Sequence, residues 1–313
     1  MSDAGRLDDA ARAGWLYYVA GRTQDEIARA MGVSRQKAQR LVAQAVQAGL
    51  VKVRLEHPIG RCMELAARLR ERFGLRTAEV APSDPAAPEL IDGVAAAAAA
   101  ELERVLSSEA PRIVAMGTGR ALTAAVEQVE LMDRPQHRIV SLLGNMMLDG
   151  SATPFSATVR LAQRTGAQHY PMSVPVLASS AGEVGMIRAQ PPVASTLALA
   201  EEADAAFVGI GWIAPDAPLS VDGFFDGAEV AALRAAGAVG EITGWAFDAE
   251  GRLLDGLTND RVTGFRPRPD ASTPTVIVGH GTRKAEALRA ALRGRLANGI
   301  VTDEATAGAL LGD

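Results

Sequence analysis

Cysteine is all but missing from this chain. The single residue, Cys62, excludes an intramolecular disulfide and a thiolate zinc cluster, and points to a reducing interior, the cytoplasm. Long apolar runs are missing as well. The most apolar stretch, Val94 to Ala100, is bracketed by Asp92 and Glu101, far short of the roughly 20 residues that span a bilayer. The opening MSDAGRLDDAARAG is acidic and carries no hydrophobic segment, so neither a membrane nor an export route is expected. With only four histidines and no His, Cys, Asp or Glu cluster at ligand spacing, no metal and no cofactor are expected. Lysine is scarcer still: Lys37, Lys52 and Lys284 are the only three.

What is present is ordinary core-forming material, 48% apolar and 22% charged over 313 residues. That is enough for one small and one large domain. The net charge of −5 is unevenly spread. Residues 1–54 carry nine Lys and Arg against five Asp and Glu, which leaves 23 against 32 for the remainder. A basic head on an acidic body suits binding to nucleic acid by one end, because phosphate attraction is local and screened within about 10 Å.

The head reads as three helices. Asp8 to Ala20 is the first, with Trp15, Leu16 and Val19 as its expected packing bulk and Tyr17 and Tyr18 as core and rim or as phosphate contacts. Thr23 and Glu26 form a capping box for the second, whose apolar face is Ile27, Ala28 and Met31. Gly32 stops it, Val33 plugs the angle, and Ser34 caps a third helix running to Gly49. There Ala38, Leu41, Val42 and Ala45 line one side. On the other faces Arg35, Gln36, Lys37, Gln39 and Arg40 offer donors suited to guanine and adenine edges in a major groove. Leu50 to Leu55 alternates apolar and basic residues as a half-exposed strand does, a wing with Lys52 and Arg54 against the DNA backbone. The expected DNA-facing set is thus Ser34, Arg35, Gln36, Lys37, Gln39, Arg40 and Lys52, in a domain of residues 1–54. A linker helix occupies residues 55–75.

From residue 76 to 313 short β-branched runs alternate with Ala- and Leu-rich helical patterns, from Thr77–Val80 and Leu90–Leu106 to Ile300–Thr302 and Glu304–Leu311. Strand then helix, repeated, predicts a doubly wound, mostly parallel α/β sheet covered on both faces. Between Gly240 and Phe265 the texture changes, with Trp245-Ala246-Phe247, a turn at Asp248 to Gly251, and Arg261-Val262-Thr263-Gly264-Phe265, and an antiparallel insertion is expected there.

Ligands of such sheets bind beyond the carboxyl ends of the strands. Four loops stand there. Gly117-Thr118-Gly119-Arg120 offers freed N–H groups, a hydroxyl and a guanidinium at a helix start, an anion cradle or a plain βα turn. Gly144-Asn145 offers an amide suited to sugar hydroxyls. The loop after Gly209 brings Asp222, which can accept from vicinal hydroxyls or be an ordinary loop acid. Gly279-His280-Gly281-Thr282-Arg283-Lys284 places a lysine at a helix N-terminus, where the dipole opposes it unless an anion offsets the charge.

These residues resemble the SorC family of bacterial transcriptional regulators. The carriers are TQDEIARAMGVSRQKAQRLV, VAMGTGRAL, ADAAFVGIGW, LRAAGAVGEITGWAFDAEGR and the close VIVGHGTRKAEALRAALRGRLANGIVTDEATAGALL, which together run through nearly the whole chain. The resemblance implies a DNA-binding head and a sugar-binding body with a fold like phosphosugar isomerases and CoA transferases. It implies a homotetramer, a dimer of dimers, that regulates a carbohydrate or polyol operon from double-stranded operator DNA. Its effector is then a sugar, polyol or sugar phosphate held by Gly117, Thr118, Gly119, Arg120, Asn145, Asp222, Gly281 and Lys284, with Gly117 to Arg120 and Lys284 at the family's phosphate-contacting positions. No catalytic residue is expected. The competing class is an aldose–ketose isomerase, which needs a carboxylate base; Asp222 and Asp248 are its only candidates.

Overall fold

Small side chains decide how the head is built. The computed structural model describes residues 3–51, 59–147, 149–153 and 157–313, and divides into a unit of residues 1–57 and one of residues 58–313. In the smaller unit α1 (Asp3–Tyr18), α2 (Gln24–Met31) and α3 (Arg35–Gln47) meet through Ala10, Ala13, Ile27, Ala28, Ala38, Leu41, Val42 and Ala45. A Cβ on Gly14 would stand 2.8 Å from that of Ala45, so α1 lies directly on α3. This corrects the expectation for α1: Trp15 and Val19 are 55% and 69% exposed, and of the three bulky residues only Leu16 packs inward. Ala10 and Ala13, three apart on one helical face, take their place.

The helix-turn-helix is formed as its sequence predicts. Thr23 Oγ1 accepts from Glu26 N while Thr23 N donates to the Glu26 carboxylate at 2.8 Å. Gly32 takes φ 65°, and Ser34 Oγ accepts from Lys37 N. The expected wing, with Lys52, falls outside the described residues.

The larger unit is built on seven strands: β1 (Thr77–Ala81), β2 (Ile113–Met116), β3 (Arg138–Ser141), β4 (Gln168–Tyr170), β5 (Ala205–Val208), β9 (Thr275–Val278) and β10 (Gly299–Asp303). They form one parallel sheet in the order β1-β10-β9-β5-β2-β3-β4. Two separate apolar clusters cover its two faces. One holds Leu69, Ile277, Leu288 and Leu310; the other holds Leu102, Met116, Leu122, Ile139 and Phe207. Helix α4 (Gly60–Phe73) buries Cys62, Leu65, Ala66 and Leu69 in the first of these. Among the described residues no helix is long and apolar enough to cross a membrane.

The antiparallel part differs from expectation in its third strand. β7 (Gly240–Ile242) and β8 (Trp245–Phe247) form a hairpin, but their partner is β6 (Gly211–Trp212), not Arg261–Phe265, where a 3-10 turn (Leu257–Arg261) and one bridge from Val262 to Leu177 stand instead. Two residues are too few to show a strand period. Thr243 and Gly244 both have positive φ, 52° and 88°, which is a type I′ turn; a β-branched residue there is strained.

Candidate functional site

The strand order reverses at β2. Chain from β2 proceeds outward to β3 and β4, whereas chain from β5 proceeds the other way to β9 and β10. The loops after these two neighbours therefore diverge and leave a crevice at the carboxyl edge, where open α/β sheets bind ligands. They begin in close contact: Gly117 N donates to Phe207 O at 2.8 Å, and a Cβ on Gly209 would stand 2.6 Å from Thr118 O. Beyond that point lies a small, partly open cleft between the two loops, placed where such sheets seat small ligands.

Thr118, Gly119, Arg120, Asp222 and Lys284 line it. Gly117, Asn145 and Gly281, also expected at the site, do not line the cleft, and each has a structural reason. Gly117 is buried behind the loop, where a Cβ would meet Val208 and Thr243. Gly281, at φ 95°, directs its N–H to the Asp303 carboxylate. Asn145 bonds its backbone to Met172 and Thr153, although its Oδ1 is buried without a hydrogen-bond partner. Leu219, Phe224 and Phe225 supply an apolar wall.

Among the described residues four charged side chains face the cleft: Arg120, Asp222, Glu241 and Lys284. Arg120 opens α6 (Arg120–Gln128) and donates to Asp222 Oδ1 at 3.0 Å. Glu241 is the residue that sequence reasoning missed, although it lies within the segment GAVGEITG. An acid set between glycines in an otherwise apolar run was the available signal, since such a carboxyl on a buried strand must face a site or a partner.

Two glycines place it. Gly211, opposite it on β6, leaves the space its carboxylate fills, because any Cβ there would collide with Glu241 Oε1. Gly240, next to it, lets α12 (Ala285–Arg293) rest on β7, where a Cβ would come within 2.6 Å of Ala287. That contact brings Lys284, at the start of α12, beside Glu241 in the cleft.

Burial dominates the electrostatics of this pair. Desolvation pushes the Glu241 carboxyl up to about 7, against the Gly244 N–H at 2.9 Å, the Lys284 charge and the Gly211 N–H. Desolvation likewise draws Lys284 down, opposed by Glu241 and reinforced by Arg120. The anion that offsets the helix-start lysine is thus built into the chain.

A pH dependence follows for the folded protein. At pH below 4.5, the ordinary value, Glu241 is protonated folded or unfolded and costs nothing. Between there and about 7 only the folded state keeps the proton, so stability falls as pH rises. Above that range the penalty is complete at roughly 3 kcal/mol. Glu241→Gln is expected to remove this slope, measured as the difference in urea midpoint between variant and wild type across the window; parallel curves would refute it.

Among the described residues no group of three or more His, Cys, Asp or Glu side chains is placed to hold a metal. The polar groups instead suit hydroxyl groups: two cations and the N–H groups around Gly119 donate, two carboxylates accept, and the Thr118 hydroxyl can do either. Above an apolar floor that pattern accommodates a polyhydroxy molecule, polar at its edges and C–H at its faces.

Known proteins show the same plan. The sugar-binding domain family (Sugar-bind) matches residues 57–312 and the MarR family residues 13–58. The erythritol catabolism regulatory protein EryD of Brucella abortus (strain 2308) is 35% identical over 315 residues, covering 100% of this chain and 98% of that protein. The transcriptional regulator LsrR of Klebsiella pneumoniae is 32% identical over 307 residues, 96% and 92% of the two chains. The crystal structure of the full-length sorbitol operon regulator SorC of Klebsiella pneumoniae superposes with a TM-score of 0.71 at 24% identity, covering 99% of this chain and all of that one.

Proposed function

Because the chain belongs to the SorC family of sugar-binding transcriptional regulators, a DNA-binding regulator of carbohydrate catabolism and not an isomerase, we propose that the cleft at the β2–β5 crossing is its effector site and the exposed face of α3 its operator reader. The effector is a sugar, polyol or sugar phosphate. Polyol catabolism, the role printed in the name of the EryD relative, is the first system to test. The chain acts in the cytoplasm, as a dimer of dimers on double-stranded operator DNA.

The observation that carries this reading is the convergence of Arg120, Asp222, Glu241 and Lys284 on one crevice at the topological switch point. The isomerase alternative finds no base in its two candidates. Asp222 is held by Arg120, and Asp248 accepts from Glu250 N and Arg252 N and pairs with Arg252 in a tight turn.

On α3, Arg35, Gln36, Lys37, Gln39 and Arg40 are all exposed. Arg35 lies 3.5 Å from Asp25 on α2, which leaves Gln36 as the better-placed base reader. Gln36→Ala is expected to lower operator affinity roughly tenfold and to relax preference at one base pair. An equal loss on every DNA sequence would assign it to phosphate.

The general test is a mobility shift of the full chain with the DNA upstream of its operon, with and without erythritol and other polyols. Sequence-specific binding altered by one of them is the expected result, and absence of sequence-specific binding would overturn the reading. Light scattering of the free protein tests the tetramer.

A further inference from the structure

We propose that the ligand of the β2–β5 cleft is an uncharged polyhydroxy compound, a polyol or free sugar, and not a phosphate ester. The inference rests on the reading of this cleft as the effector site and narrows it. Its basis is the charge present where a ligand would sit. The cations lining the cleft share it with carboxylates of the same chain: Arg120 donates to Asp222 at 3.0 Å, and Lys284 and Glu241 line the same cleft close enough for their charges to interact, without a direct ion pair. Arg283, next in sequence to Lys284, is paired too, since it donates to Asp216 while lying over the Trp212 ring at 4.9 Å.

The four cleft charges sum to zero with Glu241 ionised and to +1 with it protonated. A phosphate monoester brings about −1.5 to −2. With Glu241 ionised, seating it would place a dianion against two carboxylates, one of them buried; with Glu241 protonated, it would still meet Asp222 and a net charge of only +1 from the lining side chains. The α6 N-terminus does not change this outcome, because Asp222 is tied to Arg120, the first residue of that helix, and sets a negative charge at the same mouth. For hydroxyl groups the same four side chains are suited. Carboxylates accept, the guanidinium and ammonium donate, and a Glu241 carboxyl that titrates near neutrality can do either. Lys284 is partly buried and lines the cleft, where its ammonium can donate to a ligand hydroxyl. Phe224, Phe225 and Leu219 then take the C–H face.

Calorimetric titration of the full-length protein tests this with erythritol, ribitol, xylitol and mannitol beside their monophosphates and inorganic phosphate. A neutral compound is expected to bind roughly tenfold or more tightly than its own monophosphate, and inorganic phosphate to give no saturable heat at millimolar concentration. A monophosphate that binds more tightly than its parent, or saturable phosphate binding by the wild type, overturns the proposal.

The double variant Asp222→Asn/Glu241→Gln, near-isosteric and checked for fold by circular dichroism, frees both cations. It is expected to gain phosphate affinity by about an order of magnitude; no gain also counts against the charge argument. A neutral compound whose binding is undisturbed by Lys284→Met is seated elsewhere, which defeats the effector-site reading while leaving its ligand class intact. The two failures are thereby distinguished.

Discussion

Asn259→Ala is expected to cost the larger unit about 3 kcal/mol, the largest stability effect of a side-chain truncation near the site. Asn259 is 3% exposed and completes β8 with its side chain. Its Oδ1 accepts from Ala246 N, and its Nδ2 donates to both Ala246 O and Leu254 O, each at 2.8 Å. One edge of β8 is paired with β7, and on the other Leu254 N already donates to Ala246 O at 3.0 Å, so that carbonyl stays satisfied while the Ala246 N–H depends on the Asn259 amide oxygen. Truncation removes three hydrogen bonds and leaves the Ala246 N–H buried without an acceptor, at roughly 1 kcal/mol per bond and more for an orphaned donor. In a unit of this size that is a fall in melting temperature of about 10 °C. Because β8 is hairpinned to β7, the variant also loosens Glu241, and effector affinity drops with stability. Thermal and urea unfolding measure it; a loss below about 1 kcal/mol would mean that the hairpin does not depend on this side chain.

The largest functional effect is expected from Lys284→Met. Methionine keeps the length and the apolar contacts of the stem but removes the one cation beside Glu241. The ligand loses a charged donor, worth about 1.5–3 kcal/mol, so effector affinity falls by roughly ten- to a hundredfold. Glu241, stripped of its favourable charge, is held protonated to still higher pH. Folding does not suffer in parallel, since burial of the ammonium opposes its charged form and methionine carries no such penalty. The expected phenotype is a regulator that binds operator as the wild type does and ignores the effector. Unchanged effector affinity would remove Lys284 from the site.

Much of the fold is legible in the amino-acid sequence alone. The capping box at Thr23 and Glu26, the Gly32 stop and the Ser34 cap are local events, decided within a few residues, and each forms as its residues predict. So does the strand–helix alternation of the body, because parallel strands buried on both faces are written as continuous apolar runs. Pairing across distance is not legible. Arg120 and Asp222 lie 102 residues apart, and nothing in either loop states that they neutralise each other. The partner of β7 is two residues long and falls below any period. Glu241 escapes notice because its meaning depends on Gly211 and Gly240, which are informative only once β6 and α12 are seen to lie against it. Trp15 and Val19 mislead for the opposite reason: bulk suggests burial where closely packed alanines suffice.

A regulator of this kind is expected to couple cleft occupancy to operator binding. Coupling between sites is reciprocal, and the measurement that addresses it most directly is effector affinity determined twice, for the full-length protein free and bound to operator DNA, with whichever polyol the calorimetric titration selects. The account predicts that the two dissociation constants differ, by roughly five- to 150-fold in the range typical of allosteric coupling, and by the same factor through which that polyol changes operator affinity. Equal affinities on and off the operator would contradict it.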